Sequence, residues 1–268
     1  MIRQIYIFLI CILSPLSQWG CSHEAEKGQA ILADKKVAFS HDHPKLAQVL
    51  SKVNDGKGGV KYTWLQKHPE DLDEYLALAG SVPREQFLEW SKHEQMAFLL
   101  NIYNAATLKL IVDHYPVSSI RDIRAIGSVW SLKAVSLFGE KISLSYLENQ
   151  LLRKEFQTPS VHFALVCGSR GCPVLRGNPY NAQYLEDQFF DQTKSFLGDK
   201  SKNRVDLGKR IVYLSPIFKW YKEDFGESDA DILDFVASHF NQAEKSAIKS
   251  GEFKIRYTDF DWGINGSN

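Results

Sequence analysis

The sequence carries no charge surplus: 32 Lys and Arg residues stand against 32 Asp and Glu, for a formal net charge of zero. Without a basic excess or a Lys/Arg stripe nothing draws in a phosphate backbone, which argues against nucleic acid as a partner. Cysteine is scarce too, four residues in all, and only Cys167 and Cys172 lie close together in sequence. A structural zinc site takes four ligands, so this pair does not make one, and no metal or other cofactor is expected. Beyond residue 20 no segment is expected to span a membrane, and neither an internal repeat nor a low-complexity stretch occurs. What is present is ordinary for a globular chain: 44% hydrophobic, 24% charged and 12% aromatic residues. That suffices for one good core, or at most two small ones, and excludes wholesale disorder.

The first twenty residues read as an export signal. Arg3 supplies the positive start, residues 5–13 form an apolar run interrupted by Tyr6 and Cys11, and Ser14 with Pro15 breaks it. Gly20, Cys21 and Ser22 follow, an arrangement that resembles a lipoprotein processing site, although Gln18 stands where such signals usually carry Leu. On this reading Cys21 is lipidated and holds the protein on a membrane, the outer membrane facing the periplasm, with acyl chains burying many CH₂ groups. Ordinary cleavage to a soluble secreted protein is the alternative. Residues 21–40 are polar and read as a tether, and residues 41–268 as a single domain.

Within that domain, helices are expected at residues 46–53, 71–79, 84–90, 143–156, 181–197 and 228–240 from their apolar spacing. Residues 92–114 are apolar on nearly every face, which marks a helix buried inside the domain and ending before Pro116. Strands are expected at residues 60–62, in a hairpin around Gly139 and Glu140, at 211–214 and at 253–257. The continuous apolar run 161–167 reads as a strand buried on both faces. The mixed order predicts an α+β fold: a buried central helix and surrounding helices packed on a small mixed or antiparallel sheet.

Chemistry concentrates where that run ends, at Cys167, Gly168, Ser169, Arg170, Gly171, Cys172 and Pro173. A thiol leading into a glycine-flanked turn can be held as a thiolate beside anion-binding backbone N–H groups and attack a carbonyl. Ser169 and Arg170 could then orient a substrate carboxylate. Phosphatase loops carry their Arg at the position held here by Pro173. The alternative is that Cys167 and Cys172, in an oxidising compartment, form a disulfide that closes the turn.

A nucleophilic Cys needs a base. On a strand His162 would lie about 16 Å from Cys167 and on the opposite face, so the two form no dyad unless the strand breaks. A buried, hydrogen-bonded His162 is the alternative role. His114 suits the helix C-terminus, and His93 a surface position. Asn101 and Asn104 share one side of the buried helix. They either tie that helix to loop backbone or line a cleft with Tyr103. Glu148 either completes a capping box with Ser145 or is a buried acid facing Cys167.

These residues resemble family 547 of the domains of unknown function, found in bacterial exported proteins and plant leucine-zipper proteins. The resemblance covers residues 41–265. It rests on Asp55 and Gly56 with Val60 and Tyr62, on Phe98 to Ala105, on Ile142 to Glu148 with Leu152 and Arg153, and on His162 to Pro173. It continues through Ser215 to Tyr221 with Asp224 and Phe225, and ends at Asp261 and Trp262. Similar sequences keep the Asn pair, the Glu and the first Cys, while plant relatives have lost the second. That implies a role for Cys167 apart from a bridge. Relatives commonly carry Glu-His where this chain has Glu148 and Asn149, so a general base at that position is missing here.

The reading that follows is an exported, cysteine-dependent hydrolase or acyl-transfer enzyme. Cys167 is the nucleophile, His162 and Glu148 are its catalytic partners, and Asn101, Tyr103, Asn104, Ser169 and Arg170 hold a small-molecule or peptide ligand. The rival is a non-catalytic binding or scaffold module with Cys167 and Cys172 bridged.

Overall fold

The computed structural model describes residues 36–267; the expected signal peptide, most of the tether and Cys21 lie outside the described residues. From Val37 onward the chain forms one compact unit. The Val37 N–H donates to Gln86 Oε1 at 2.8 Å and its carbonyl accepts from Gln86 Nε2 at 2.9 Å. Phe39 stacks on Trp90 and meets Phe98 edge-on.

Four helices, α1 (Pro44–Val53), α2 (Tyr62–Lys67), α3 (Glu70–Gly80) and α4 (Arg84–Leu88), precede the long α5 (Lys92–Val112). A reciprocal cap starts α5: the Ser91 hydroxyl accepts from the Glu94 N–H, and the Glu94 carboxylate accepts from the Ser91 N–H. Every residue from Gln95 to Leu108 is buried, because α2 and α3 pack against α5 from one side and the elements that follow it close the rest. The strand expected at residues 60–62 does not form. Val60 makes only isolated bridges to Asn54 and Gly266, and Tyr62 already opens α2.

The hairpin is present as β1 (Val135–Leu137) and β2 (Glu140–Ile142), antiparallel, with Leu137 opposite Glu140. It turns through Phe138 and Gly139, one residue before the expected Gly139 and Glu140, and both sit at positive φ, as a type I′ turn requires. Next comes a helix in three parts, α6 (Leu144–Tyr146), a π-helical stretch Leu147–Arg153 and α7 (Lys154–Phe156). Its cap is Ser143, whose hydroxyl accepts from the Tyr146 N–H at 3.1 Å. The expected pairing of Ser145 with Glu148 as a capping box is thus displaced. Glu148 falls on the wide π turn and points into the domain, where it is buried.

The second half carries α8 (Val161–Ala164), α9 (Leu185–Gly198), β3 (Arg204–Asp206) and β4 (Ile211–Leu214). After them come α10 (Ile217–Trp220), α11 (Lys222–Phe225), α12 (Asp229–Ala237), α13 (Gln242–Ser250) and β5 (Lys254–Tyr257). The sheet order is β3-β4-β5, antiparallel on one side of β4 and parallel on the other. The fold is α+β with a small mixed sheet. Strand β3 and helix α13 had no counterpart in the sequence reading; β3 is three residues long and α13 is mostly polar.

The buried side chains form two clusters. The larger surrounds α5. The smaller joins Phe163 to Phe196, Val212, Leu214, Phe218, Phe225 and Val236 around the three-stranded sheet. Residues 161–166 lie between them: Val161, Ala164, Leu165 and Val166 belong to the first cluster, Phe163 to the second. That placement explains why the run is apolar throughout, and why it is not the expected strand. It is one helical turn followed by extended chain, and its backbone is satisfied by side-chain amides instead of a neighbouring strand. Asn104 Nδ2 donates to the Ala164 carbonyl and Asn104 Oδ1 accepts from the Val166 N–H, both at 3.0 Å. Gln192 Nε2 donates to the Phe163 carbonyl at 3.2 Å.

Candidate functional site

Because residues 161–164 are helical, the strand argument that separated His162 from Cys167 no longer applies. Both now line one cleft of about 260 Å³, together with Tyr103, Glu148, Tyr221 and a group of tryptophans. The cleft lies where α5, the π-helical stretch, residues 165–167, α10 and the C-terminal segment meet.

Glu148 lies at its centre. Its Oε2 accepts from the Tyr103 hydroxyl at 3.0 Å and its Oε1 from the Tyr221 hydroxyl at 2.7 Å. Burial first, and the neighbouring Glu148 carboxylate second, push both phenols well above the ordinary tyrosine range, so each remains a donor. The wide π turn is what sets Glu148 between them; such turns often accompany functional sites.

A second set of polar groups borders the first. His162 Nε2 meets Asp224 Oδ2 at 2.5 Å, and Arg153 grips the same carboxylate with Nε at 2.6 Å and Nη2 at 3.0 Å. Arg153 also donates to Asn149 Oδ1 at 2.6 Å. Asn149 in turn donates to the Ser145 carbonyl at 2.8 Å. The His162 ring stacks on Tyr221 with centroids 4.1 Å apart. Partial burial by itself raises the Asp224 pKa, but the hydrogen bonds and charges of His162 and Arg153 outweigh it and hold the carboxyl well below its usual range.

A carboxyl depressed in the folded state adds stability above its unfolded value, near 4, and loses it as pH falls toward the folded one. Asp224→Asn should therefore be less stable than the parent at pH 7, with the gap closing below about pH 4. Urea unfolding across pH reads this directly; a gap that does not change with pH contradicts the assignment.

A cluster of aromatic rings also lines the cleft. Trp220 stacks on Trp262 at 5.7 Å and touches Phe260 at 4.9 Å, Phe260 meets Trp262 at 4.5 Å, and Trp130 meets Trp262 edge-on at 6.0 Å.

Cys167 is bonded to Cys172, with their Cα atoms 6.0 Å apart. Both line the cleft, but as a disulfide. A bridged sulfur holds no thiol to ionise, so the nucleophile expected at Cys167 is not in place in this state, and His162 is turned to Asp224.

Asn101 and Asn104 do not face the cleft. Asn101 clamps Tyr180, donating to its carbonyl at 2.8 Å and accepting from its N–H at 2.9 Å. Asn104 clamps residues 164 and 166. Of the three α5 residues expected to hold a ligand, Tyr103 alone reaches it.

Ser169 and Arg170 lie on another depression. Ser169 bridges Ile264 through its backbone, and Arg170 pairs with Asp261 through Nε at 2.8 Å and Nη2 at 3.1 Å. Together they fasten the C-terminal segment, which places Trp262 over the cleft. His114 Nδ1 contacts the Leu110 carbonyl at 2.8 Å and His93 is exposed beside Glu186.

Arg153, Tyr221, Asp224 and the aromatic group had been given no role. Arg153, Trp220, Tyr221, Asp224 and Trp262 were present as motif residues of the resemblance, whereas Trp130 and Phe260 had not been singled out at all.

The glycine-flanked pair of cysteines and the inward-facing Glu148 lie together on one stretch of chain. Residues 87–197 match the family described as Protein of unknown function, DUF547. The DUF547 match includes Tyr103, Glu148, Arg153, His162, Cys167 and Cys172, and stops before Tyr221, Asp224 and Trp262. The cleft is thus built partly from the DUF547 stretch and partly from chain that follows it. No curated protein and no solved structure matches the chain.

Proposed function

We propose that this is an exported, lipid-anchored envelope protein whose domain binds a small molecule in the cleft at Glu148. The disulfide forms a fixed part of the cleft wall. The observation that carries this reading is that Cys167 and Cys172 are bonded to each other while Glu148, held by two phenols, faces the same space. It favours the binding module over the thiol enzyme, because catalysis by Cys167 requires the bridge to open. A disulfide between Cys167 and Cys172 persists in an oxidising compartment, which supports export.

The test is an intact mass of protein extracted from envelopes without reductant, before and after reduction, with iodoacetamide labelling near neutral pH. The expected result is a gain of two hydrogen atoms on reduction, no alkylation before it, and acyl mass on Cys21. Rapid alkylation of Cys167 in unreduced protein would return the thiol-enzyme reading to first place.

A further inference from the structure

The cleft combines one carboxylate with several ring faces and offers few other free polar groups. Among the described residues no Lys or Arg lines it. Its imidazole, His162, is committed to Asp224. Asn149 is used at both ends of its amide, by Ser145 and by Arg153. Arg121 lies over the Trp262 ring at 5.1 Å, but in the neighbouring depression.

A sugar or other polyhydroxylated ligand needs many hydrogen-bond partners to replace water, and beside Glu148, His162 and Asn149, each already paired, the cleft adds only the Ser145 hydroxyl and indole N–H groups. An anionic ligand would meet Glu148. A cation carrying methyl groups needs neither: it takes a counter-ion and aromatic faces, and its methyl groups favour a low-dielectric site.

We infer that the cleft takes a quaternary or heavily methylated ammonium group, with Glu148 as counter-ion and Trp130, Trp220, Trp262 and Phe260 as its aromatic cage. This rests on the binding-module reading. The volume, about 260 Å³, suits a headgroup-sized ligand. Such a group reaches an envelope protein as a free solute or as part of a phospholipid headgroup, and the same contacts serve both.

The experiment is calorimetric titration of the unreduced protein with choline and with 3,3-dimethylbutanol, its uncharged carbon isostere, tracked in parallel by tryptophan fluorescence. Choline should bind about tenfold more tightly than the isostere. Glu148→Gln, which keeps an acceptor for a phenol and removes the charge, should erase that preference. Tetramethylammonium should bind and ammonium should not. Vesicles of phosphatidylcholine, against vesicles of phosphatidylglycerol, identify the source: retention on the former that free choline releases points to lipid, and binding of free choline alone points to a solute. Equal affinity for choline and its isostere overturns the inference, as does saturable binding of N-acetylglucosamine in place of choline. Silence from every ammonium probe overturns it too. None of these outcomes touches the binding-module reading, which fails on a different measurement, a free and reactive Cys167 in unreduced protein.

Discussion

Asn104→Leu is expected to lower unfolding stability by about 3–5 kcal/mol, since it strips partners from two buried backbone groups at once. The residue is 6% exposed, and its side chain serves the Ala164 carbonyl and the Val166 N–H together. Leucine has a comparable volume, so the loss comes from unsatisfied polar groups and not from a cavity. Guanidinium unfolding followed by circular dichroism measures it. The variant should also bind more weakly at the cleft, because residues 165–167 form part of the wall. A loss below about 1 kcal/mol would mean that water or a shifted backbone satisfies those groups.

Gly168→Ala should cost about 2–5 kcal/mol, from two independent causes. Gly168 has φ +74°, in the left-handed region where a Cβ is strained. That Cβ would also collide with the Ile111 Cδ1 atom on α5. Its carbonyl accepts from the Asn265 N–H at 2.9 Å, so a displaced Gly168 also loosens the segment that carries Trp262. The expected signature is a lower midpoint of thermal unfolding together with altered tryptophan emission. Gly139→Ala is the control: its φ is also positive, at +79°, yet nothing lies within 4 Å of an added Cβ. The difference between the two variants isolates the cost of the contact with α5.

The sequence was most legible where a pattern repeats over many residues. Helix α5 is apolar around its whole circumference, and burial inside the domain is what such a helix requires. The capped start of α12 at Ser228 follows from local chemistry in the same way, and so does the hairpin, although it turns at Phe138 and Gly139, one residue before the expected Gly139 and Glu140.

Legibility failed at residues 161–167. A continuous apolar run has no period, so a strand and a helical turn passing between two cores produce the same letters. The deciding fact is where the backbone finds its partners, and those partners, Asn104 and Gln192, are far away in sequence. The misreading then spread to the site, because it placed His162 and Cys167 on opposite faces. Asn101 and Asn104 illustrate the same limit: a buried amide must be paired, but the sequence does not say with what. Glu148 could be picked out, whereas its partner Tyr221 comes from a segment 73 residues on, beyond the reach of any spacing rule.

The two hydrophobic clusters have a geometric consequence. Each packs densely around its own centre, and rounded bodies laid side by side leave an interstice along their seam. Leu165 and Val166 reach that seam from one body, and Ile217 reaches it from the other. Loop segments then close the recess, the bridged turn at Cys172 and Pro173 and the C-terminal segment at Phe260 and Trp262. Its width is governed by how thick the spacer between the bodies is, and the spacer here is a single stretch of chain centred on Phe163.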